Sequence, residues 1–347
     1  MINAEVIKTV STNFNNQKSE VSMSANTKQL SISKRFYGWM AILVCVLSLG
    51  CADDPSNIVS PEPEPEYSPP DRKDVFWGPE IPKTLGEHSL RVKFNGEDRI
   101  VIVYVPAAQQ AGVAAPLVLA LHHGNGSAAG MAEDHPNLIT AASEEGVVLA
   151  FPRGREEADK AGYTWWSFGN EEALADVAYL EGVIVWLQRY LPIDTKRTFM
   201  CGFSAGAGMT QRFAAERPNR IKAGAAFGYS TGFTRTDGIH VKYPKPEAPI
   251  SMFLVRGGRD EAVPPDGMTP NDNGEIHDSV ADQLGFWVNA AGGTPEQVVK
   301  EELDDDATRY TYASGSILVE MTYSKSLGHR WPTTYDRPVL DWFLALP

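Results

Sequence analysis

The chain has 347 residues, of which 43% are hydrophobic and 10% aromatic, so it has enough apolar material for one large core. Its 31 lysines and arginines stand against 44 aspartates and glutamates, which gives a formal net charge of −13 at pH 7. Binding to a nucleic acid needs a cationic face for the phosphates, and this composition does not favour one. The charge therefore argues against nucleic acid as a partner and favours a neutral or modestly polar ligand.

The first 50 residues have the layout of an export signal. A long polar stretch leads to Lys34 and Arg35, and a short apolar run follows at residues 39–50. About a dozen apolar residues are too few for an ordinary transmembrane helix, which needs about 20. Because the polar stretch is long for the start of a signal, Met23 is a candidate for the true first residue. We expect residues 1–50 to form a signal region.

A cysteine follows the apolar run directly. The end of the run and Cys51 resemble the lipobox of bacterial lipoproteins, in which the cysteine carries lipid and becomes the mature N-terminus, although Ser48 stands where leucine is usual. This resemblance predicts export, with lipidation of Cys51 and attachment to a bacterial membrane, periplasmic or at the cell surface. An ordinary secretory signal with cleavage nearby is the alternative.

Residues 51–74 are rich in proline and glutamate, with strict alternation of the two at residues 61–66. This composition opposes helix and strand pairing and favours an extended, self-repelling tether. The tether would join the anchor to a single domain at residues 75–347. Of the three cysteines, Cys201 alone would then lie in that domain, which leaves no disulfide within one chain and favours a buried, apolar role.

Strands alternate with helices from residue 75 onward. Two segments, 88–94 and 99–105, alternate apolar and polar residues as half-buried strands do. Continuous apolar runs follow, which are typical of parallel strands buried on both faces: 116–122, 147–152, 197–201, 223–227, 250–256 and 317–323.

The clearest helix is predicted at residues 176–190, with Asp176 near its N-terminal end and one apolar stripe formed by Val177, Leu180, Ile184 and Leu187. A second helix is predicted at residues 337–346. The alternation of elements predicts an α/β fold with a mostly parallel central sheet and helices on both faces, a three-layer sandwich.

The pattern G-x-S-x-G occurs twice, at residues 202–206 and 228–232. Ser204 lies between an apolar strand and an amphipathic stretch at residues 205–217, and such a strand–turn–helix exposes a serine hydroxyl as a nucleophile. Ser230 is followed by turn residues with no helical period. The context favours Ser204 as the nucleophile and Ser230 as a polar residue of a loop.

A nucleophilic serine needs a general base. Of the seven histidines, His329 directly follows the apolar run 317–323, whereas His277 lies in a polar stretch with no strand before it. We therefore expect His329 to be the base and His277 to lie in a surface loop. The alternative for His329 is a role in capping a helix or packing on Trp331.

The base in turn needs a carboxylate that orients it. Asp260 follows the run 250–256 and is the expected acid. Glu261 should point elsewhere, and the more distant carboxylates of the same loop should be solvated: Asp266, Asp272 and Asp278.

The charge that develops on a substrate oxygen needs backbone N–H donors. One donor should be the amide of Ala205, the residue after the nucleophile. The other should come from the loop at residues 122–127, which follows the strand predicted at residues 116–121 and begins His122-His123-Gly124. A metal pair at His122 and His123 is disfavoured because adjacent residues of an extended segment point to opposite faces.

Taken together, these segments resemble the polyhydroxybutyrate depolymerase and feruloyl or acetylxylan esterase group of α/β-hydrolases. The matching segments occur in the family's order and cover most of residues 100–332: 116–124, 151–154, 165–168, 176–180, 193–207, 257–264 and 328–332.

The resemblance implies a secreted serine esterase without metal or cofactor, in which Ser204 is the nucleophile, Asp260 the acid and His329 the base. The family usually has a single His-Gly in the first oxyanion loop, and this chain has two histidines before Gly124. The second oxyanion donor is therefore the amide of either His123 or Gly124.

The family places three tryptophans in loops near the site, Trp165, Trp166 and Trp331. Their rings either stack on a sugar or phenolic acid, or pack the core below those loops. The expected substrate is a feruloyl or acetyl ester on plant polysaccharide, and a polyhydroxyalkanoate oligomer is the second candidate. The sequence does not determine the oligomeric state, and a monomer is compatible with it. A surface lipoprotein with an inactive hydrolase domain that binds glycans is the alternative from a different class.

Overall fold

The computed structural model describes residues 76–107, 114–156, 162–169 and 171–347. The predicted signal region, Cys51 and the tether at residues 51–74 lie outside the described residues. The strands, in chain order, are β1 (Phe76–Trp77), β2 (Gly86–Phe94), β3 (Glu97–Val105), β4 (Ala115–Leu121), β5 (Val148–Pro152), β6 (Arg155–Glu156), β7 (Tyr163–Thr164), β8 (Ile193–Phe203), β9 (Ala223–Phe227), β10 (Gly232–Thr234), β11 (His240–Lys242), β12 (Ser251–Gly257), β13 (Ile276–His277), β14 (Val299–Glu302), β15 (Ala307–Ser314) and β16 (Ile317–Ser324).

Eleven of these strands form one central sheet in the order β1-β2-β3-β5-β4-β8-β9-β12-β16-β15-β14. The six strands from β5 to β16 in this order run parallel to one another, as the apolar runs predicted. The two alternating segments form the antiparallel pair β2–β3, which joins the sheet beside β5. Every residue of β4, β5, β9 and β12 is buried, which explains why these strands are apolar apart from Ser251 and Arg256 of β12.

Helices cover both faces of this sheet. They are α1 (Ala128–Asp134), α2 (Pro136–Glu144), α3 (Glu171–Tyr190), α4 (Ala205–Glu216), α5 (Val280–Ala290) and α6 (Asp336–Ala345). Because strand side chains alternate between faces, Leu117 and Leu119 of β4 pack in the core with α3, α4 and α5, whereas Val118 and Ala120 pack with α1, α2 and α6. The three-layer α/β fold predicted from the sequence is thus confirmed.

The long helix α3 begins five residues before the predicted start, at Glu171. Its apolar stripe is buried as expected, with Val177 and Leu180 fully inside. The prediction that Asp176 lies near the N-terminal end of this helix is wrong, because the helix begins five residues earlier. Asp176 is buried instead and pairs with Arg99 at 3.0 Å. The spacing of apolar residues does not indicate this earlier start, because residues 171–175 favour a helix but do not continue the apolar stripe.

Two smaller sheets are present besides the central one. Strands β11, β10 and β13 form one of them, and β6 pairs with β7 to form the other. Their short strands hold segments that the sequence predicted as loops, including residues 276–277. In the described ranges, none of the helices combines the length and the apolar character needed to cross a membrane.

The start of α4 lies directly against the end of β4. A Cβ atom added to Gly206 would overlap the carbonyl oxygens of Leu121 and His122, and one added to Gly202 would overlap the carbonyl of Gly206. Both positions therefore need glycine for steric reasons. This contact sets the turn at Ser204 beside the loop that follows β4.

The substitution Gly206→Ala should lower the free energy of unfolding by about 1–3 kcal/mol, because backbone rather than a flexible side chain blocks the new methyl group. Chemical denaturation measures this change. Gly130→Ala in α1 is the matched control, since the atom nearest to its added Cβ is the Ser127 hydroxyl at 3.3 Å, and a change below about 1 kcal/mol is expected. Wild-type stability in Gly206→Ala would contradict the close approach of α4 to β4.

Candidate active site

Ser204 occupies a strained turn between β8 and α4. Its backbone has φ 51° and ψ −121°, a conformation that residues other than glycine rarely adopt. The Ser204 N–H donates to the carbonyl of Phe227 at 3.0 Å, and the Ser204 carbonyl accepts from the N–H of Gly208 at 2.9 Å. The strand–turn–helix expected around this serine is present, and the side chain is only half-buried.

Ser204, His329 and Asp260 form one continuous chain of hydrogen bonds. The Nε2 atom of His329 lies 2.8 Å from the Oγ of Ser204, and its Nδ1 lies 2.9 Å from the Oδ2 of Asp260. With the ring proton on Nδ1, the imidazole donates to Asp260 and accepts from the serine hydroxyl. The structure therefore brings together the three residues that the sequence singled out.

The three residues follow β8, β12 and β16, which are parallel strands. The carboxyl ends of parallel strands lie at one edge of a sheet, which is why residues far apart in the sequence converge there. The Asp260 side chain is fully buried, whereas 24% of the His329 side chain is exposed. A buried carboxylate thus holds a histidine that solvent still reaches.

Asp260 is fixed through both of its carboxylate oxygens. Its Oδ1 accepts from the N–H of Val263 at 2.8 Å, while Oδ2 faces His329. The buried guanidinium of Arg256 donates to the carbonyls of Val263 and Pro264, each at 3.2 Å. Burial lowers the pKa of Arg256 to about 10, and the charge of Asp260 opposes that decrease. Sequence reasoning missed Arg256, whose position inside an apolar run was the available signal.

Two further residues that sequence reasoning missed border the histidine. The ring of Phe203 lies 4.9 Å from the ring of His329, measured between centroids, and also contacts His123 at 5.8 Å. A Cβ atom on Gly228 would lie 3.4 Å from the Nδ1 of His329 and 3.5 Å from the Oδ2 of Asp260. Gly228 opens the second G-x-S-x-G segment, so that segment forms a wall of the site.

Ser230 is completely buried, and its hydrogen bonds exclude it as an activated nucleophile. Its hydroxyl donates to the carbonyl of Gly232 at 2.8 Å and lies 2.9 Å from the Nδ1 of His277. Since the hydroxyl proton is already used, Nδ1 must be the donor in the second contact. The Nε2 of His277 lies 3.2 Å from the amide nitrogen of Asn271, which can donate to it. His277 therefore cannot remove a proton from Ser230 in this arrangement.

The prediction that His277 lies in a surface loop is wrong. The residue is 3% exposed, and the rings of Tyr229 and Phe233 pack against it. Its strand β13 pairs with β10, which lies more than 40 residues earlier in the chain. The polar sequence around His277 does not indicate this pairing. Burial lowers the pKa of His277 to about 4, so the ring is neutral near pH 7.

The carboxylates around Asp260 divide into two groups. Glu261, Asp266 and Asp272 are exposed, in agreement with the expectation for the two aspartates. The expectation for Asp278 is wrong, because Asp278 is largely buried, accepts from the hydroxyl of Thr231 at 2.9 Å and lies 3.4 Å from His240. Burial raises its pKa. The pairing of β10 with β13 again causes this difference.

His122 fixes the loop that follows β4. It is 1% exposed, its Nδ1 lies 2.7 Å from the carbonyl of His123, and its Nε2 accepts from the N–H of Gly154 at 2.9 Å. Burial lowers its pKa to about 4, so the ring is neutral and acts as one donor and one acceptor. Within the described ranges, no three histidine, cysteine, aspartate or glutamate side chains are grouped as a metal site requires.

The expected oxyanion donors lie close together. A Cβ on Gly124 would be 3.8 Å from the Cβ of Ala205 and 3.5 Å from the Oγ1 of Thr164. Ala205 is the first residue of α4, so its N–H has no acceptor within the helix. The Nδ1 of the half-buried His123 lies 2.7 Å from the carbonyl of Gly124. Gly124 and Ala205 are thus neighbours beside Ser204.

Two of the three tryptophans, Trp165 and Trp331, are part of the core, so the packing alternative holds for them and their candidate role in substrate binding is wrong. Trp165 is 4% exposed and stacks on Tyr179, and Trp331 is 6% exposed and stacks on Phe227 at 4.1 Å. The side chain of Trp166 is different, with 41% of the residue exposed. Neighbouring residues of an extended segment point to opposite sides, which explains the contrast between residues 165 and 166.

Cys201 is buried in β8, and burial raises the pKa of its thiol. The small apolar role expected for it fits this environment, because a buried neutral thiol is a poor nucleophile.

Comparison with known proteins gives no match to any family model. The chain is 28% identical over 241 residues to the putative esterase NocK of Nocardia uniformis subsp. tsuyamanensis, covering 66% of this chain and 65% of that protein. It is 28% identical over 165 residues to feruloyl esterase B of Piromyces equi, covering 48% of this chain and 30% of that one. It is 25% identical over 181 residues to the bifunctional acetylxylan esterase/xylanase XynS20E of Neocallimastix patriciarum, covering 52% and 24%. The chain therefore spans less than two thirds of the length of each of these relatives.

Solved structures share the fold. The acetyl xylan esterase from Aspergillus awamori superimposes with a TM-score of 0.50 at 14% identity, covering 78% of this chain and 98% of that one. The structure of sOPH gives a TM-score of 0.54 at 15% identity, covering 76% and 88%. The chain has the α/β-hydrolase fold, and these sequence relatives are named as esterases, which agrees with the resemblance seen in the sequence.

The two buried neutral histidines make stability depend on pH. In the unfolded chain each takes up a proton near pH 6.5, while the folded protein keeps His122 and His277 neutral down to about pH 4. The free energy of unfolding should therefore decrease as the pH falls from 6.5 towards 4.

The substitution His277→Gln should remove part of this dependence. Urea unfolding at about pH 7 and about pH 5 should show a decrease that is smaller in the variant by roughly 2 kcal/mol. An equal decrease in both proteins would show that His277 is protonated in the folded state, contrary to its burial.

Proposed function

We propose that the chain is a serine carboxylesterase in which Ser204 is the nucleophile, His329 the general base and Asp260 the acid that orients it. The continuous hydrogen-bonded chain from the Oγ of Ser204 through His329 to Asp260 carries this proposal. Esterase relatives and the α/β-hydrolase fold support the reaction class.

Acylation begins when the Nε2 of His329 accepts the hydroxyl proton and the Oγ of Ser204 attacks the ester carbonyl carbon. The carbonyl electron pair moves to its oxygen, where the amide of Ala205 and an amide from His123 or Gly124 stabilise the charge. Asp260 stabilises the imidazolium. Collapse of the intermediate expels the alcohol, which takes the proton from Nε2 and leaves an acyl group on Ser204.

Deacylation repeats these steps with water. The neutral imidazole of His329 accepts a proton from the water molecule, and the resulting oxygen nucleophile attacks the acyl carbon. The Oγ of Ser204 leaves and regains its proton from Nε2, which releases the carboxylic acid. No step uses a metal or cofactor.

The proposed substrates are feruloyl or acetyl esters on plant polysaccharide. Relatives that are named as a feruloyl esterase and as an acetylxylan esterase support this substrate class. The exposed Trp166 also supports this substrate class. Trp166 lies two residues after Thr164, and Thr164 is beside the proposed oxyanion loop. Stacking on an aromatic acid or a sugar needs such an accessible ring.

We also propose that the protein is exported and held at a bacterial membrane through a lipid on Cys51. The apolar run before this cysteine and the proline- and glutamate-rich residues after it support the proposal. Its partners would then be a lipid bilayer and an ester substrate, with no role for nucleic acid.

The catalytic proposal predicts that Ser204→Ala abolishes hydrolysis of p-nitrophenyl acetate and labelling by a fluorophosphonate probe. Loss of the nucleophile of a triad lowers turnover by about a millionfold. Ser230→Ala is the matched control, since it changes the second G-x-S-x-G serine and should keep the label. Retained labelling in Ser204→Ala would contradict the proposal, and an unlabelled wild-type protein would favour the glycan-binding alternative.

The anchoring proposal predicts that Cys51→Ser moves the protein from the membrane fraction to the soluble fraction of expressing bacteria, because a thioether-linked lipid anchor needs the cysteine sulfur. Immunoblotting of both fractions measures this. Cys201→Ser controls for the loss of a thiol. Equal distribution of wild type and Cys51→Ser would argue for ordinary secretion.

A further inference from the structure

Asp176 is a buried charged residue that the proposed reaction does not use. Its side chain is fully buried, its Oδ1 accepts from the guanidinium of Arg99 at 3.0 Å, and its Oδ2 lies 3.4 Å from the Nε of Arg155. The Oδ2 atom also accepts the backbone N–H of Trp166 at 3.1 Å. One carboxylate therefore joins helix α3, strands β3 and β6, and the segment that carries the exposed tryptophan.

Burial of this carboxylate is costly unless its partners compensate for the lost hydration. The guanidinium of Arg99 lies 4.3 Å from the ring centroid of Tyr179, and Tyr179 stacks on the buried ring of Trp165. The charged cluster thus holds the Trp165–Trp166 pair in two ways, through the ring of the first residue and through the backbone of the second.

The segment 162–169 contacts both the oxyanion loop and the helix that follows Ser204. Thr164 lies 3.5 Å from a Cβ placed on Gly124 in the oxyanion loop, and the Ser167 hydroxyl lies closer still to a Cβ placed on Gly208, in the first turn of α4. Trp166 lies between these two contacts, and it is exposed whereas its neighbours at 165 and 167 are buried. A shift of its backbone would therefore move an exposed aromatic ring that lies between a residue in contact with the oxyanion loop and one in contact with α4.

We propose that Asp176, held by Arg99 and Arg155, is a positioning residue that fixes Trp166 so that its ring selects esters of aromatic acids. This inference rests on the proposed esterase function. The ring of a phenolic acid would stack on Trp166, while the carboxylate of Asp176 acts only through the Trp166 backbone and touches no substrate.

The substitution Asp176→Asn keeps an acceptor of the same shape and removes the charge that the two arginines need. For methyl ferulate the KM should rise about fivefold with little change in kcat, because a stacking contact is weakened. For methyl butyrate, which has no ring, kcat and KM should both stay within about twofold of wild type. Trp166→Ala should give the same selective rise, and the double variant should show no further rise, because the two changes remove one interaction.

Glu181→Gln is the matched control. Glu181 also lies on α3, is 7% exposed, and pairs with Arg217 and Arg220 at 3.0 and 2.8 Å. Its substitution should lower stability without changing the preference between the two esters. If Asp176→Asn does not fold, Arg155→Gln keeps the Arg99–Asp176 pair and should give the same selective rise in KM, smaller in size.

An equal loss of activity on both esters in the folded Asp176 or Arg155 variant would overturn the inference, and so would a KM rise of the same size in Glu181→Gln. Additive effects of Asp176→Asn and Trp166→Ala would overturn it too. A wild-type enzyme that hydrolyses methyl butyrate and not methyl ferulate would overturn the inference and leave the serine esterase proposal standing. Failure on both esters, with no fluorophosphonate labelling, would count against the esterase proposal itself.

Discussion

The site depends on one serine backbone that is held in a conformation serine rarely adopts. For a residue other than glycine, a positive φ such as the 51° of Ser204 costs of the order of 1–3 kcal/mol. Hydrogen bonds to Phe227 and from Gly208 oppose this cost, and the glycine at 206 lets α4 approach β4 closely enough to complete the turn. Because the turn is fixed, the serine hydroxyl already lies in hydrogen-bond contact with His329.

Burial assigns different tasks to the histidines at this edge of the sheet. His122 and His277 are nearly inaccessible, and the pKa of each is lowered to about 4, so both remain neutral and each hydrogen-bonds through both ring nitrogens. His329 has 24% of its side chain exposed and contacts both a hydroxyl and a buried carboxylate. The first two histidines stabilise loops, and the third is in the position that proton transfer to and from substrate requires.

The sequence was most informative about elements that a local pattern of apolar residues identifies. Continuous apolar runs predicted the parallel strands. Residues that directly follow parallel strands lie at the same edge of the sheet, the edge formed by the carboxyl ends of the strands. Asp260 and His329 could be identified because each follows such a run. Non-local pairing was not predictable in the same way. His277 is buried in β13, which pairs with β10, and Trp331 is buried against the ring of Phe227. The residues next to His277 and Trp331 in the sequence indicate neither of these contacts.

In the proposed reaction, Ser204 carries an acyl group during turnover. The most direct measurement is rapid acid quenching of the enzyme with p-nitrophenyl acetate, followed by digestion and mass spectrometry of the peptides. We expect one acetyl group on the peptide that contains Ser204, formed together with a burst of p-nitrophenol equal to the enzyme concentration. An acetyl group on the peptide that contains Ser230, or turnover with no acylated peptide at all, would contradict it.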